Sequence, residues 1–322
     1  MDSKLLLQTP LLILLFSDFV ILLTLTFAFV NALFILKDWD FHNNTKKQYR
    51  LQMKNYLISL IITVALVSKI VLLPYFAYTI DSLSDIVPGA MCAAGVIKEN
   101  GYGGVLEIFR IVFIVFGMFW LFINNEDQKA YDYPFIKRKY LLFIFIYAIA
   151  VFSFYLQIAY FFHIDLNRSV SCCSVIFGLS GDNALPFGLD NTKLLIILFL
   201  LATLTIYFAY FKNSFALSFG TILFSICAYY AVLYFFGIYI YEVPTHICPF
   251  CMLQSQYYYI GYLIWGVLLA LLILGNANAF LKLFIGKTQN SYFVYFIYLI
   301  IIFLTILIYF PISYYIRNGV WL

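Results

Sequence analysis

The chain has 322 residues, of which 65% are hydrophobic, 21% aromatic and 11% charged. A soluble domain of that length has no interior for so much apolar surface, so the composition excludes one and predicts an integral membrane protein. The net charge of +4 gathers in the loops of one side, so it implies no nucleic-acid partner.

A membrane-spanning helix needs about 20 mostly apolar residues. Eight runs qualify, near 8–36, 56–80, 104–123, 141–163, 191–212, 215–240, 252–275 and 292–316. They are continuous and not alternating, which predicts helices and not barrel strands. The first has no small-residue cleavage site and reads as an uncleaved anchor. The longest connection, 164–190, is too short for a soluble domain of its own. The expectation is an all-α polytopic protein, one transmembrane domain over 1–322 with about eight helices.

Basic residues orient it. Lys37, Lys46, Lys47, Arg50 and Lys54 follow the first run, and Lys129, Lys137, Arg138 and Lys139 follow the third. Lys212, Lys282 and Lys287 bring that side to twelve. The other side holds Lys4, Lys98, Arg168 and Arg317, with Lys193 at its edge. Both termini are therefore expected outside, in a multi-pass protein of a bacterial inner membrane. The richness in Lys, Ile, Phe, Tyr and Asn is that of an AT-rich bacterial genome. The cytoplasmic loops have no phosphate-cradling glycine loop and no acidic metal cluster, so no nucleotide is expected.

Charges inside the spans come next. Asp18 and Lys69 lie in the first two runs, each on the order of 15 Å from the outer end at 1.5 Å per residue. Equal depth predicts an ion pair, and Pro74 is placed to bend the second span nearby. Glu107 and Arg110, three apart in the third span, are expected to pair on one face. These charges read as glue between helices, as a proton or ion path, or, for Arg110, as an anchor for a quinone or substrate.

Five of the six cysteines fall in outer loops. Cys92 lies in 81–103, the adjacent Cys172 and Cys173 in 164–190, and Cys248 and Cys251 in 241–251. Cys227, within a span, reads as a small buried hydrophobe. Thiols segregated to an oxidising face fit redox chemistry, lasting disulfides or soft-metal binding. In Cys248-Pro249-Phe250-Cys251, Pro249 suits a first helical turn. Cys248 is then expected at the N-cap of the seventh span, where the helix dipole lowers a thiol pKa, with Cys251 one turn further on. A plain stapling disulfide is the alternative. Neighbouring cysteines bond each other only through a strained ring. Cys172 and Cys173 therefore read as a bridge to Cys92, as a soft-metal grip, or as a relay to Cys248 or Cys251. His246 and His163, on the same face, are candidate proton carriers or ligands. Met252 follows Cys251, so no Cys-x-x-Cys-His exists and covalent haem c is excluded. No span has a central histidine for a buried haem, which leaves His163 and His246 at the outer edge as its sole ligands.

The run Cys248-Pro249-Phe250-Cys251-Met252-Leu253-Gln254, with Tyr257, Tyr258 and Tyr259 after it, resembles the active segment of DsbB-type disulfide-bond formation proteins. It is also similar to the last catalytic helix of vitamin K epoxide reductase homologues. The resemblance covers about ten residues. It implies a small helical bundle that oxidises an extracytoplasmic thiol partner and passes electrons to a quinone. DsbB-type proteins have four spans and an arginine shortly after the second cysteine, where this chain has eight spans and Gln254 and Ser255. The pattern of Cys92, Cys172-Cys173 and the CPFC segment resembles NosB-like polytopic proteins of nitrous oxide respiration.

These readings predict thiol–disulfide electron transfer, or assistance in assembling an extracytoplasmic respiratory metalloenzyme. Cys248 would attack, Cys251 resolve, and Cys172 or Cys173 relay to a partner: a thiol carrier, a cytochrome or a metalloenzyme client. One rival is copper handling by Cys172, Cys173, Cys248, Cys251 and His246. Another is a transporter gated by Asp18 and Lys69 with structural cysteines. The three outer loops are expected to converge, with Cys92 in disulfide range of Cys172 or Cys173 and His163 or His246 bordering the site.

Overall fold

The structure, a computed structural model, describes residues 5, 7–41, 45–130, 132–170, 190–244 and 246–322. Among these the regular structure is all helical, with eight helices long and apolar enough to cross a membrane. They are α1 (Thr9–Asp38), α2 (Lys46–Ser82), α3 (Tyr102–Gln128), α4 (Ile136–Phe162), α5 (Asn191–Tyr210), α6 (Ser214–Tyr241), α7 (Ile260–Ile285) and α8 (Asn290–Asn318).

The chain divides into two compact units, Met1–Pro88 with Val96–Val170, and Gly89–Gly95 with Ser171–Leu322. In the first, α1 packs on α2 and α4, and α3 packs on the same two. The second repeats that neighbour order, with α5 and α7 each packing on α6 and α8. Each unit is thus a ring of four spans.

Lipid is as apolar as a leucine core, so the buried stripe of a span is recognised by spacing and small size more than by hydrophobicity. In α1 the buried residues are Leu11, Leu14, Asp18, Ile21, Leu25, Ala28, Ala32 and Ile35. They alternate three and four apart, the seam of left-handed helix packing. Phe16, Leu23, Phe27 and Phe34 point outward. In α8 the seam is Phe293, Phe296, Ile300, Phe303 and Leu307. Gly275 of α7 lets its backbone approach α6: a Cβ there would lie 2.3 Å from Thr221 Oγ1.

Polar residues extend helices beyond the apolar runs. Helix α2 starts at Lys46, where the Thr45 side chain accepts from the Gln48 amide. Helix α7 continues through Asn276 and Asn278 because both are satisfied. Ser218 Oγ donates to Asn276 Oδ1 at 2.5 Å. Asn278 gives to the Gln289 carbonyl and takes from its amide, at 3.0 and 2.8 Å. Pro74 lies inside an unbroken α2. Helix α6 carries a π turn at Val232–Phe236, a wide turn common near functional sites.

The seventh span departs most from the sequence reading. Its helix starts at Ile260, not near 252. Residues Cys251–Leu253 and Ser255–Tyr257 form two separate 3-10 turns. Tyr258 and Tyr259 then adopt left-handed φ values of 53° and 56°, which break the chain away from a continuous helix.

Candidate thiol centre and buried charge cluster

The second unit brings together two connections. Residues 89–95 enter through Gly89, whose φ of 80° suits glycine, and put Cys92 before the short helix Ala93–Ile97. The other connection leaves α6 at Glu242, left-handed at φ 54°, and carries Cys248 and Cys251. Tyr241 organises this turn. Its hydroxyl donates to the Cys248 carbonyl and accepts from the Met252 amide at 3.1 Å. The Trp265 indole N–H reaches the Pro249 carbonyl at 3.0 Å. Gly261 leaves room for the turn, since a Cβ there would lie 2.5 Å from Met252 Cγ. Gln254 Nε2 ties the two connections together at the Met91 carbonyl, 3.4 Å away.

The result is three thiols in one buried pocket. The Cys92 and Cys248 sulfurs are 3.7 Å apart, and all three sulfurs of Cys92, Cys248 and Cys251 lie within 4.8 Å of one another. Cys92 is fully buried, and the other two nearly so. Among the described residues no disulfide joins Cys92, Cys227, Cys248 or Cys251. The walls are apolar, with Phe236, Met252 and Ile264 in the same core.

The sulfurs are electrically unequal. Hydrogen bonding from the Cys251 and Cys92 thiols holds the Cys248 thiol down to about 3, against the opposing effect of burial; the Phe250 and Cys251 backbone amides add to it. Sharing with Cys248 and Cys92, with burial, pushes Cys251 upward. Of the three sulfurs, Cys248 is the one whose neighbours favour the thiolate.

This corrects the expected origin of Cys248 acidity. Cys248 is not the N-cap of a span, because the helix begins twelve residues later. Neighbouring donors replace the helix dipole. Cys92 meets Cys248 and Cys251; Cys172 and Cys173, its expected partners, lie outside the described residues. His246 is buried and stacks on Tyr241, ring centres 4.2 Å apart. His163 caps α4, its Nδ1 2.7 Å from the Ala159 carbonyl and its ring 5.2 Å from Tyr102. Cys227 is buried in α6 with its sulfur 3.8 Å from the Leu194 carbonyl.

The first unit has a different centre. Asp18 is fully buried and takes Lys69 Nζ on Oδ1 at 2.5 Å and Arg110 Nη2 on Oδ2 at 2.8 Å. The same Arg110 nitrogen donates to Gln157 Oε1 at 2.8 Å, and Phe76 covers the guanidinium at 3.9 Å. The expected Glu107–Arg110 pair is therefore not formed: Arg110 turns inward, because a buried carboxylate satisfies it better than a half-exposed one. Gln157 was missed by reading charges alone; as an amide within an apolar span it carries a signal of its own.

A second polar cluster went unread as well. Lys139, counted among the loop charges, is fully buried and meets Asp127 at 2.7 Å, Ser59 at 3.2 Å and Asn124 at 3.2 Å. Tyr140 donates to Asn55 at 2.8 Å.

Set against protein-family models, curated proteins and solved structures, the chain matches none.

Proposed function

We propose that this chain is a membrane thiol–disulfide oxidoreductase whose centre is Cys92, Cys248 and Cys251. The observation that carries the reading is the mutual contact of three buried cysteine sulfurs, in which hydrogen bonding from its neighbours lowers the Cys248 pKa. A stapling disulfide needs only two cysteines and no such asymmetry. Stabilising the reduced thiolate makes the corresponding disulfide oxidising, so electrons run toward the centre. A partner carrying one thiolate and one thiol meets the Cys248–Cys251 disulfide. The two partner sulfurs become a disulfide, Cys248 leaves as thiolate, and Cys251 takes the remaining proton as a thiol. Two electrons have moved. A quinone in the bilayer, as a two-electron acceptor, re-oxidises the pair. Cys92 can attack the same disulfide at Cys248, passing the bond to Cys92–Cys248 and freeing Cys251. The four-span size of the second unit supports the DsbB-type resemblance. The bias of basic residues supports a topology with the thiol connections and both termini at the extracytoplasmic face, and on this reading, in a bacterial inner membrane, a thiol partner or a metalloenzyme client is at hand there.

One observation favours a second reading, soft-metal handling. Metal–sulfur bonds of about 2.3 Å put tetrahedral ligands close to the 3.7 Å separation of Cys92 and Cys248, and an all-thiol set selects a soft ion such as Cu(I). One experiment separates the two. Purified full-length protein is equilibrated in dithiothreitol buffers of graded potential, alkylated with a mass tag, and assayed for metal. The redox reading expects two thiols to disappear together, at a potential above about −300 mV, with no stoichiometric metal. Thiols that stay alkylatable across the whole range, with one copper bound per chain, would replace it with the metal reading.

A further inference from the structure

We propose that the first unit binds one small monovalent anion of chloride size beside Lys69 and Arg110. The argument starts from charge. Buried Arg110 and mostly buried Lys69 share the single carboxylate of Asp18, which leaves one positive charge in excess. At 1.5 Å per residue, Asp18 lies on the order of 14 Å along α1 from Thr9, inside the apolar layer, where an unmatched charge is costly. The other buried pair of this unit shows the usual solution, since Lys139 meets Asp127 one to one.

The surplus charge faces a space. A cavity of about 10 Å³ is lined by Lys69, Arg110 and Ser153, with Leu73, Phe113 and Ala150 as apolar walls. Asp18 is not among its lining residues, so the cavity meets both cations and a hydroxyl but no carboxylate. Its volume is at the lower limit for one water-sized occupant, so a single small ion fits only with a slight widening of the walls, and carboxylates or phosphates are excluded. Arg110 also keeps a buried Nε donor unused, and Gln157 a buried Nε2, among the described residues. Cations, a hydroxyl and the spare Arg110 Nε donor around a cavity with no carboxylate define an anion site. Glu107, one turn outward on α3, is absent from the cavity lining and from the Asp18 ion pairs.

The site is independent of the thiol reading, because no described cysteine belongs to this unit. The test uses purified full-length protein in detergent. Its thermal midpoint is followed against sodium chloride, with sodium gluconate at equal ionic strength as the anion too large to enter. The expected result is a saturable rise in chloride alone, with about one ³⁶Cl bound per chain. Lys69→Met leaves a neutral Asp18–Arg110 pair and should abolish both responses. If that variant does not fold, Ser153→Ala is read in its place and should weaken the chloride midpoint several-fold. Equal midpoints in chloride and gluconate would overturn the proposal, as would a chloride response that survives Lys69→Met or is unmoved by Ser153→Ala. Stability that follows pH but not chloride would overturn it too, by showing that Lys69 balances the charge as a neutral amine.

Discussion

The two units have the same ring of four spans and opposite interiors. The first holds its helices with buried ions: Asp18 joins α1 to α2 and α3, and Lys139 joins α4 to α3. The second has, among its described residues, no buried ion pair; its Glu242–Arg317 pair is exposed. It is held instead by apolar seams and by the close approach of Gly275 to Thr221. The comparison shows two ways to associate helices where lipid competes with every apolar contact. It also separates two kinds of chemistry. Ions pair within the spans, while three of the four described cysteines, Cys92, Cys248 and Cys251, meet in the connections.

The sharpest test of this division concerns sulfur. With Cys248 held down to about 3, its thiolate form persists at every pH above that, so its alkylation rate should be flat from pH 5 to 8. A Cys92→Ala, Cys251→Ala double variant removes both thiol donors. Its Cys248 should return toward an ordinary thiol pKa of about 8.5 and react roughly a thousandfold more slowly at pH 5. A flat profile in that variant would mean that the neighbouring thiols do not set the acidity.

The next effect is on stability in the first unit. Asp18→Asn strands buried Arg110 and mostly buried Lys69 and should cost about 3–5 kcal/mol, read as a lower unfolding midpoint in mixed micelles. Arg317→Ala, which breaks the exposed pair of the second unit, is the control and should cost less than about 1 kcal/mol. Equal effects would erase the distinction between the two interiors.

The smallest effect tests close packing. Gly275→Leu must displace Thr221, whose side-chain atoms lie 2.3–2.8 Å from the site of a new Cβ, and should cost about 1–3 kcal/mol. Adding Thr221→Gly opens the space again and should restore part of the loss in the same unfolding assay. No recovery in the double variant would place the strain elsewhere.

Eight spans were legible from apolar runs alone, because nothing else in a chain this apolar satisfies the backbone. Depth along a helix was legible too, so Asp18 and Lys69 could be matched. Helix ends were not. The apolar run ends at 275, yet the helix continues through Asn276 and Asn278 because Ser218 and Gln289 supply partners. Arg110 could be assigned to Glu107 by spacing on one helix; its choice of Asp18 needed a second helix. That cysteines from separate connections converge could be argued from the predicted topology. That Cys92 belongs with Cys248, 156 positions away, could not, because hydropathy and spacing are local and thiol contact is not. The sequence by itself determined that this chain has eight runs long and apolar enough to cross a membrane and that five of its six cysteines lie between them. Only the tertiary structure decided which sulfurs touch and which cations share a carboxylate, since both depend on how separate helices pack and where buried groups find their partners.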